Sequence, residues 1–214
     1  MLIGDTADLS VGSVIQLCLV QLPESSQSVS SLNPAVLALV DEYGHLFESV
    51  SRLPPSRHCD HSIPLVSGAQ PVFVRPYRYA PLLKTEIEWQ VNDMLQQGII
   101  QKSTSAFASP VLLVKKKDQS WRFCVDYCQL NAITVKGKYP VPIIEELLDE
   151  LSRAAYFTTL DLQSGFHQIR MKSGEEFKTT FQTHFGQFEF WVMSFRLTGA
   201  PGTFQNAMNI TLAP

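Results

Sequence analysis

The chain has 214 residues, of which 45% are hydrophobic and 17% charged. This balance is typical of a folded domain and excludes a wholly disordered, collagen-like or coiled-coil chain. The formal net charge of −3 argues against a protein dedicated to nucleic-acid binding. No apolar run approaches the roughly 18–20 residues that a membrane span needs. We therefore expect an intracellular protein, cytoplasmic or nuclear, that has no membrane partner and whose four cysteines are reduced.

The first 57 residues are predicted to be a partly disordered linker that contains one helix. A Ser-rich tract over 25–31 is typical of a linker. Asn33 and Pro34 then provide a helix start, and apolar residues at helical spacing predict a helix over 34–48.

The middle of the chain is predicted to contain a helix followed by a basic β-hairpin. Apolar residues at helical spacing predict the helix over 81–97, and Gly98 ends it. The hairpin pairs residues 111–114 with 121–126 around a polar turn that begins with three lysines. Residues 101–140 carry seven basic and two acidic groups, a charge of 7 − 2 = +5, which favours a polyphosphate ligand. A solvated charged turn would have the same pattern.

The last third of the chain is predicted to mix helices and strands irregularly. Helices are expected at about 142–152 and at 198–212, and strands at 157–162, 166–171, 177–183 and 187–193. This arrangement predicts an α+β fold.

Asp161 is the strongest candidate for chemistry, because it ends an apolar, β-rich stretch where a carboxylate is costly to bury unless it is paired or binds a metal. Gly165 allows a tight turn after it, and Phe166 adds a large ring. The combination suits a site for Mg²⁺ and a nucleotide. A surface carboxylate at a strand end is the alternative.

Several stretches occur in an order that resembles a known family. They are SPVLLVKKKD (109–118), WRFCVDY (121–127), LN (130–131), YPVP (139–142), FTTLDLQSGFHQI (157–169), KTTF (178–181), FGQFEF (185–190) and APGTFQ (200–205). Together they resemble the reverse transcriptase of gypsy-type LTR retrotransposon (Metaviridae-like) Pol polyproteins, over about residues 58–214.

The resemblance implies a right-hand polymerase with an antiparallel sheet and packed helices. Fingers would occupy residues 58–150, an incomplete palm 151–214, and a polyprotein linker 1–57. Such enzymes copy an RNA or DNA template into DNA by two-metal nucleotidyl transfer. The implied partners are template-primer, dNTP and the remainder of Pol: the rest of the palm, the thumb, RNase H and integrase.

The resemblance also assigns roles to individual residues. Asp161 would be catalytic and bind Mg²⁺, and the backbone of Leu162 would face the triphosphate. Phe166 would lie under the deoxyribose and hinder a 2′-hydroxyl. The remaining nucleotide-binding residues would be Lys116, Lys117, Arg122 and Gln205.

The sequence departs from the family in four places. It contains no Asp-Asp pair, and it ends before the hairpin that carries this pair in the family, so we expect the two-metal site to be incomplete and the chain alone to be inactive. Arg196 stands where the family has Gly beside the nucleotide, and we expect it to be harmful. Cys128 replaces an Arg donor, and Gln119 replaces a turn Gly and should be strained. A non-catalytic nucleic-acid-binding remnant or an inert remnant is the alternative function.

Overall fold

The structure is a computed structural model that describes residues 38, 41–42, 53–137, 139, 144–151, 162 and 164–212. The chain divides into two compact units, residues 1–50 and 51–214. In the first unit, Ala38, Asp41 and Glu42 are helical and exposed, in agreement with the predicted helix over 34–48. The other residues of that prediction lie outside the described ones.

The second unit contains a five-stranded sheet. Its strands are β1 (Ile100–Lys102), β2 (Ser109–Lys115), β3 (Trp121–Val125), β4 (Phe181–Gln182) and β5 (Gln187–Phe190). They lie in the order β1-β5-β4-β2-β3; three pairings are antiparallel, and β2 and β4 pair in parallel over two residues. The α+β class is thus confirmed, with a mixed rather than purely antiparallel sheet.

Helix α1 (Pro81–Gln96) agrees closely with its prediction. Its first residue is Pro81, whose missing N–H costs nothing in the first turn. Its residues Ile87, Val91 and Met94 are buried, and the helix contacts β1 and β3 of the sheet. Gly98 follows with φ +70°, the left-handed conformation that commonly ends a helix.

The remaining α-helices are α2 (Cys128–Ala132), α3 (Ile144–Leu151) and α4 (Ala200–Leu212). Helices α3 and α4 confirm the expected helices at 142–152 and 198–212. The sequence reasoning missed the short helix α2 and the edge strand β1. Both are too short to show a periodic pattern.

The expected strand over 166–171 is wrong. Residues Gly165–Gln168 form a 3₁₀-helix, which Ser164 begins in a left-handed conformation with φ +50°. The Phe166 ring packs on the rings of Phe195 and Phe204 instead of alternating across a sheet. Arg170 and Met171 make only isolated β-bridges.

The expected strand over 177–183 is mostly wrong as well. Residues Glu176–Thr179 form a 3₁₀-helix, and only Phe181–Gln182 is a strand. The Thr179 hydroxyl donates to the Glu176 carbonyl at 2.7 Å and accepts from the Phe190 amide at 2.9 Å. These side-chain bonds replace strand pairing there. The predicted strand over 157–162 lies outside the described residues, apart from Leu162.

The core is a single cluster that contains buried residues of the sheet, α1, α2 and α4. Phe181 is fully buried and contacts three other rings, those of Phe123, Phe188 and Phe190. The buried Tyr127 donates its hydroxyl to the Thr179 carbonyl at 2.8 Å, so its one polar atom is satisfied. Within the described residues, no helix is both long and apolar enough to cross a membrane.

Candidate nucleotide and template site

The tip of the β2–β3 hairpin exposes the predicted lysines on a tight turn. The Lys116 amide donates to the Ser120 carbonyl at 2.9 Å, and Asp118 Oδ1 accepts from both the amide and the hydroxyl of Ser120. Gln119 has φ +68°, so the predicted strain at this position is confirmed. Lys116 and Lys117 are exposed and available to an anion.

The same tip packs against α1. The Trp121 carbonyl accepts from Gln90 Nε2 at 3.2 Å, and Lys115 Nζ lies 5.9 Å from the centre of the Trp121 ring. A cleft of about 390 Å³ separates hairpin and helix, and its lining includes Lys116 and the carboxylate of Glu86. Arg122 is exposed and follows Trp121 along the strand, so it points to the opposite face of the hairpin.

A second group of predicted residues is built around three phenylalanines, which we call the aromatic cluster: Phe166, Phe195 and Phe204. The ring centre of Phe166 lies 5.0 Å from that of Phe195 and 5.2 Å from that of Phe204. Phe195 is 44% exposed, and Leu162 is 40% exposed. The aromatic cluster therefore forms an apolar surface that is partly open to solvent.

Helix α4 carries Gln205 beside the aromatic cluster. Gln205 directly follows Phe204, and its Nε2 donates to Asn209 Oδ1 at 2.9 Å. Small residues before and within this helix allow a close approach of the chain's own side chains. A Cβ at Gly202 would lie 3.0 Å from Tyr139 Cβ, and one at Gly199 would lie 3.2 Å from the His61 ring.

Asn131 is a positioning residue whose role the sequence reasoning missed. Its Nδ2 donates to the Arg196 carbonyl at 2.8 Å, and its Oδ1 accepts from the Thr198 amide at 2.9 Å. Arg196 has φ +69° and is exposed. The side chain of Asn131 thus connects the loop before α4 to α2. The Leu-Asn motif at 130–131 was the only signal in the sequence that marked this residue.

Two histidines near this region have a structural role. His61 is buried, and its Nδ1 lies 2.8 Å from Thr203 Oγ1. Burial lowers its pKa to about 4, and this effect outweighs the negative charge of Glu175, which raises the pKa. Burial also lowers the pKa of His167 to about 4, and its ring contacts Phe195. Both are therefore neutral near pH 7.

The structure brings together only part of the predicted site. Phe166 contacts Phe204, the residue before Gln205. The predicted phosphate-binding residues Lys116, Lys117 and Arg122 lie on the hairpin instead. Among the described residues, no hydrogen bond, ion pair or ring contact joins that hairpin to the aromatic cluster. Asp161 lies outside the described residues, so its role stays a prediction.

The described residues do not by themselves provide a metal site. Their His, Cys, Asp and Glu side chains form no group of three or more that could hold a metal ion. The expected Mg²⁺ site therefore depends on Asp161 and stays a prediction with it.

Comparison with protein families supports the resemblance. Residues 114–214 match the model of the family described as reverse transcriptase (RNA-dependent DNA polymerase). The chain is 42% identical over 149 residues to the retrovirus-related Pol polyprotein from transposon 297 of Drosophila melanogaster, covering 67% of this chain and 14% of that protein. It is 34% identical over 165 residues to the Tf2-3 transposon polyprotein of Schizosaccharomyces pombe, covering 77% of this chain and 12% of that protein.

The fold agrees with a solved structure. A foamy viral protease-reverse transcriptase in complex with an RNA/DNA hybrid superimposes with a TM-score of 0.73 at 23% identity, over 85% of this chain and 25% of that one. The chain thus spans only about an eighth of the Pol polyproteins and a quarter of this structure. On the family match and the similarity to retrotransposon Pol proteins, residues 114–214 form part of a reverse transcriptase domain, as the resemblance to the gypsy-type elements predicted.

Proposed function

We propose that the chain supplies the fingers (residues 58–150) and the first part of the palm (151–214) of an RNA-directed DNA polymerase, with residues 1–57 as a linker. In this role it binds an RNA or DNA template-primer and a dNTP. The remainder of Pol would supply the rest of the palm, the thumb, RNase H and integrase. The observation that carries the proposal is the aromatic cluster, which joins two separate motifs of the chain beside Leu162 and Gln205.

Within this proposal, Phe166 forms a wall against the sugar of the incoming nucleotide. Its ring is held between those of Phe195 and Phe204, so it cannot turn away easily when a bulkier sugar enters. A rigid wall discriminates against an added 2′-hydroxyl better than a mobile side chain does. Leu162 is close to this wall, since a Cβ at Gly165 would lie 3.5 Å from Leu162 Cβ, and its backbone would face the triphosphate.

The exposed cations of the hairpin would bind phosphates. Lys116 and Lys117 lie on the turn and Arg122 lies on the strand that follows, and all three are exposed. Arg binds phosphate through two parallel hydrogen bonds, whereas Lys acts as a point charge. Base pairing reads the template, so phosphate and stacking contacts are sufficient for the protein.

Asp161 would hold Mg²⁺, which in this family of reactions activates the primer hydroxyl and neutralises phosphate charge. The sequence contains no Asp-Asp pair to add to it. We therefore expect these 214 residues by themselves not to extend a primer. Robust incorporation on poly(rA)/oligo(dT) with Mg²⁺ would overturn this part of the proposal.

Template binding is tested separately from catalysis. The affinity of the full chain for a fluorescein-labelled RNA template–DNA primer is measured by anisotropy between about 50 and 200 mM salt, where each phosphate contact contributes a slope of about one. The variant K116E/K117E should bind at least about tenfold more weakly and lose about two units of slope.

Lys84→Glu is the control for charge reversal outside the hairpin, with one lysine reversed where K116E/K117E reverses two. Lys84 is exposed in the first turn of α1, where an acidic residue is favourable for the helix, so the same charge reversal leaves the fold intact. It should bind as the unmodified chain does. A slope near zero for the unmodified chain would favour an inert remnant, and binding without incorporation would agree with a non-catalytic role.

A further inference from the structure

The carboxylate of Asp126, at the base of the basic hairpin, is surrounded by groups from three separate segments. Tyr77 donates its hydroxyl to Oδ2 at 2.9 Å, and the Cys128 amide donates to Oδ1 at 3.1 Å. Hydrogen bonds from Cys128 and Tyr77 lower the pKa of Asp126, and the charge of Arg196 lies close enough to contribute. Tyr77, Cys128 and Arg196 are all exposed, so this group opens to solvent.

Arg196 is held in a fixed position. Its φ of +69° is unfavourable for a residue with a Cβ, and such a conformation persists only where the surroundings impose it. The side chain of Asn131 holds the loop in this conformation, since its Nδ2 donates to the Arg196 carbonyl and its Oδ1 accepts from the Thr198 amide. The long side chain therefore starts from a well-defined point beside Asp126.

The guanidinium of Arg196 has no direct hydrogen-bond or ion-pair partner among the described residues. The ion pairs within 4.0 Å among the described residues join Lys178 to Glu175 and His184 to Glu88. Within that same part of the chain, no hydrogen bond involves the Arg196 side chain. Its neighbour Phe195 is 44% exposed. An exposed guanidinium next to an exposed ring can bind a phosphate and stack on a base.

Positions 128 and 196 both differ from the family resemblance, and the arginine is at 196 instead of 128. The resemblance implies Arg at 128 and Gly at 196, whereas this chain has Cys128 and Arg196. Cys128 begins α2, and Asn131 of the same short helix donates to the Arg196 carbonyl at 2.8 Å, so a guanidinium from either position can reach the same region of the surface.

We propose that Arg196 supplies, from the loop before α4, the guanidinium that position 128 lacks, and that it binds a backbone phosphate of a polynucleotide. The proposal rests on the template binding proposed above. It assigns Arg196 a binding role in place of the harmful one expected from the sequence.

The test uses the full chain and the same labelled RNA template–DNA primer. Arg196→Gln should weaken binding about five- to tenfold at about 0.1 M salt and reduce the salt slope by about one. Arg57→Gln is the matched control, because Arg57 is also exposed and loses the same charge. It should change neither quantity.

Two further variants separate binding from folding. Arg196→Gly relieves the left-handed backbone and should raise the Tm by about 2–4 °C while it weakens binding, so unfolding cannot explain the loss. Adding C128R to this variant should restore the affinity to within about twofold of the unmodified chain.

The outcomes distinguish this proposal from the one on which it rests. If the unmodified chain does not bind the duplex, both fail. If it binds and Arg196→Gln binds equally well with an unchanged slope, the role of Arg196 alone is overturned. If Arg196→Gln weakens binding but C128R/R196G does not recover it, the claim that Arg196 replaces an arginine at position 128 is overturned.

Discussion

The ring of Phe204 lies directly against the backbone of Gly165: a Cβ added at residue 165 would come within 3.1 Å of Phe204 Cε2. This contact joins the 3₁₀-helix Gly165–Gln168 to α4. It also fixes Phe166, the next residue, between Phe204 and Phe195. The missing side chain at residue 165 is therefore what allows the aromatic cluster to form.

Replacing Gly165 with Ala should destabilise the protein by about 1–2 kcal/mol, because the Phe204 ring must shift to admit the added methyl group. Thermal unfolding measures the loss. Gly137→Ala is the control, since a Cβ there meets nothing within 4 Å, and its Tm should not fall. Equal Tm values for the two variants would contradict the close packing of Phe204.

Replacing Gln119 with Gly should stabilise the protein by about 1 kcal/mol, because Gly adopts φ +68° without steric cost. Lys117→Gly is the comparison within the same turn. Lys117 has no positive φ, so Gly there only adds freedom to the unfolded chain and should destabilise by about 0.5–1 kcal/mol. Chemical denaturation of both variants checks the opposite signs, and a loss of stability in Gln119→Gly would refute the strained turn.

Replacing Asn131 with Ala should cost about 1–3 kcal/mol, because it removes the hydrogen bonds to the Arg196 carbonyl and the Thr198 amide. Hydrogen exchange of the Thr198 amide should become faster. Asn92→Ala is the control, because Asn92 is exposed on α1 and Ala favours a helix. Unchanged exchange at Thr198 in Asn131→Ala would show that this side chain does not hold the loop.

Acidification should destabilise the fold between about pH 6.5 and pH 4. Burial lowers the pKa of His61 and of His167 to about 4, whereas an unfolded histidine has a pKa of about 6.5. The unfolded chain therefore binds protons first, and stability that is complete above about pH 6.5 is lost as the pH falls toward 4. Each histidine contributes roughly 2–3 kcal/mol to this loss.

The dependence is measured as Tm against pH. The double variant H61Q/H167Q should show a shallower fall, since Gln does not titrate, even if it is less stable at neutral pH. His58→Gln replaces an exposed histidine and should keep the slope of the unmodified chain. A fall of unchanged steepness in H61Q/H167Q would assign the acid sensitivity to other groups.

Local signals in the sequence were sufficient to predict the positions of α1 and the β2–β3 hairpin. Pro81 and Gly98 bound α1 because one fits a first helical turn and the other adopts a left-handed backbone that ends it. The β2–β3 hairpin follows from two apolar runs around a polar turn. The motif order indicated the family, which the comparisons confirmed.

The segment 166–171 shows where local signals fail. Its composition predicts a strand, yet Phe166 and His167 both contact Phe195, about thirty residues away, and the chain turns into a 3₁₀-helix to reach it. No periodicity within the segment contains this information, because the partner that decides its conformation lies elsewhere in the sequence.

Sequence patterns were sufficient to predict the order of the motifs, the positions of α1 and the hairpin, and the strained turn at Gln119. Long-range packing sets three contacts that no such pattern predicts: Phe204 closes over Gly165, His61 is buried against Thr203, and Asn131 binds the Arg196 carbonyl. Each of these contacts joins residues about 40 to 140 positions apart. Their geometry follows from how the sheet and helices pack, which no local pattern encodes.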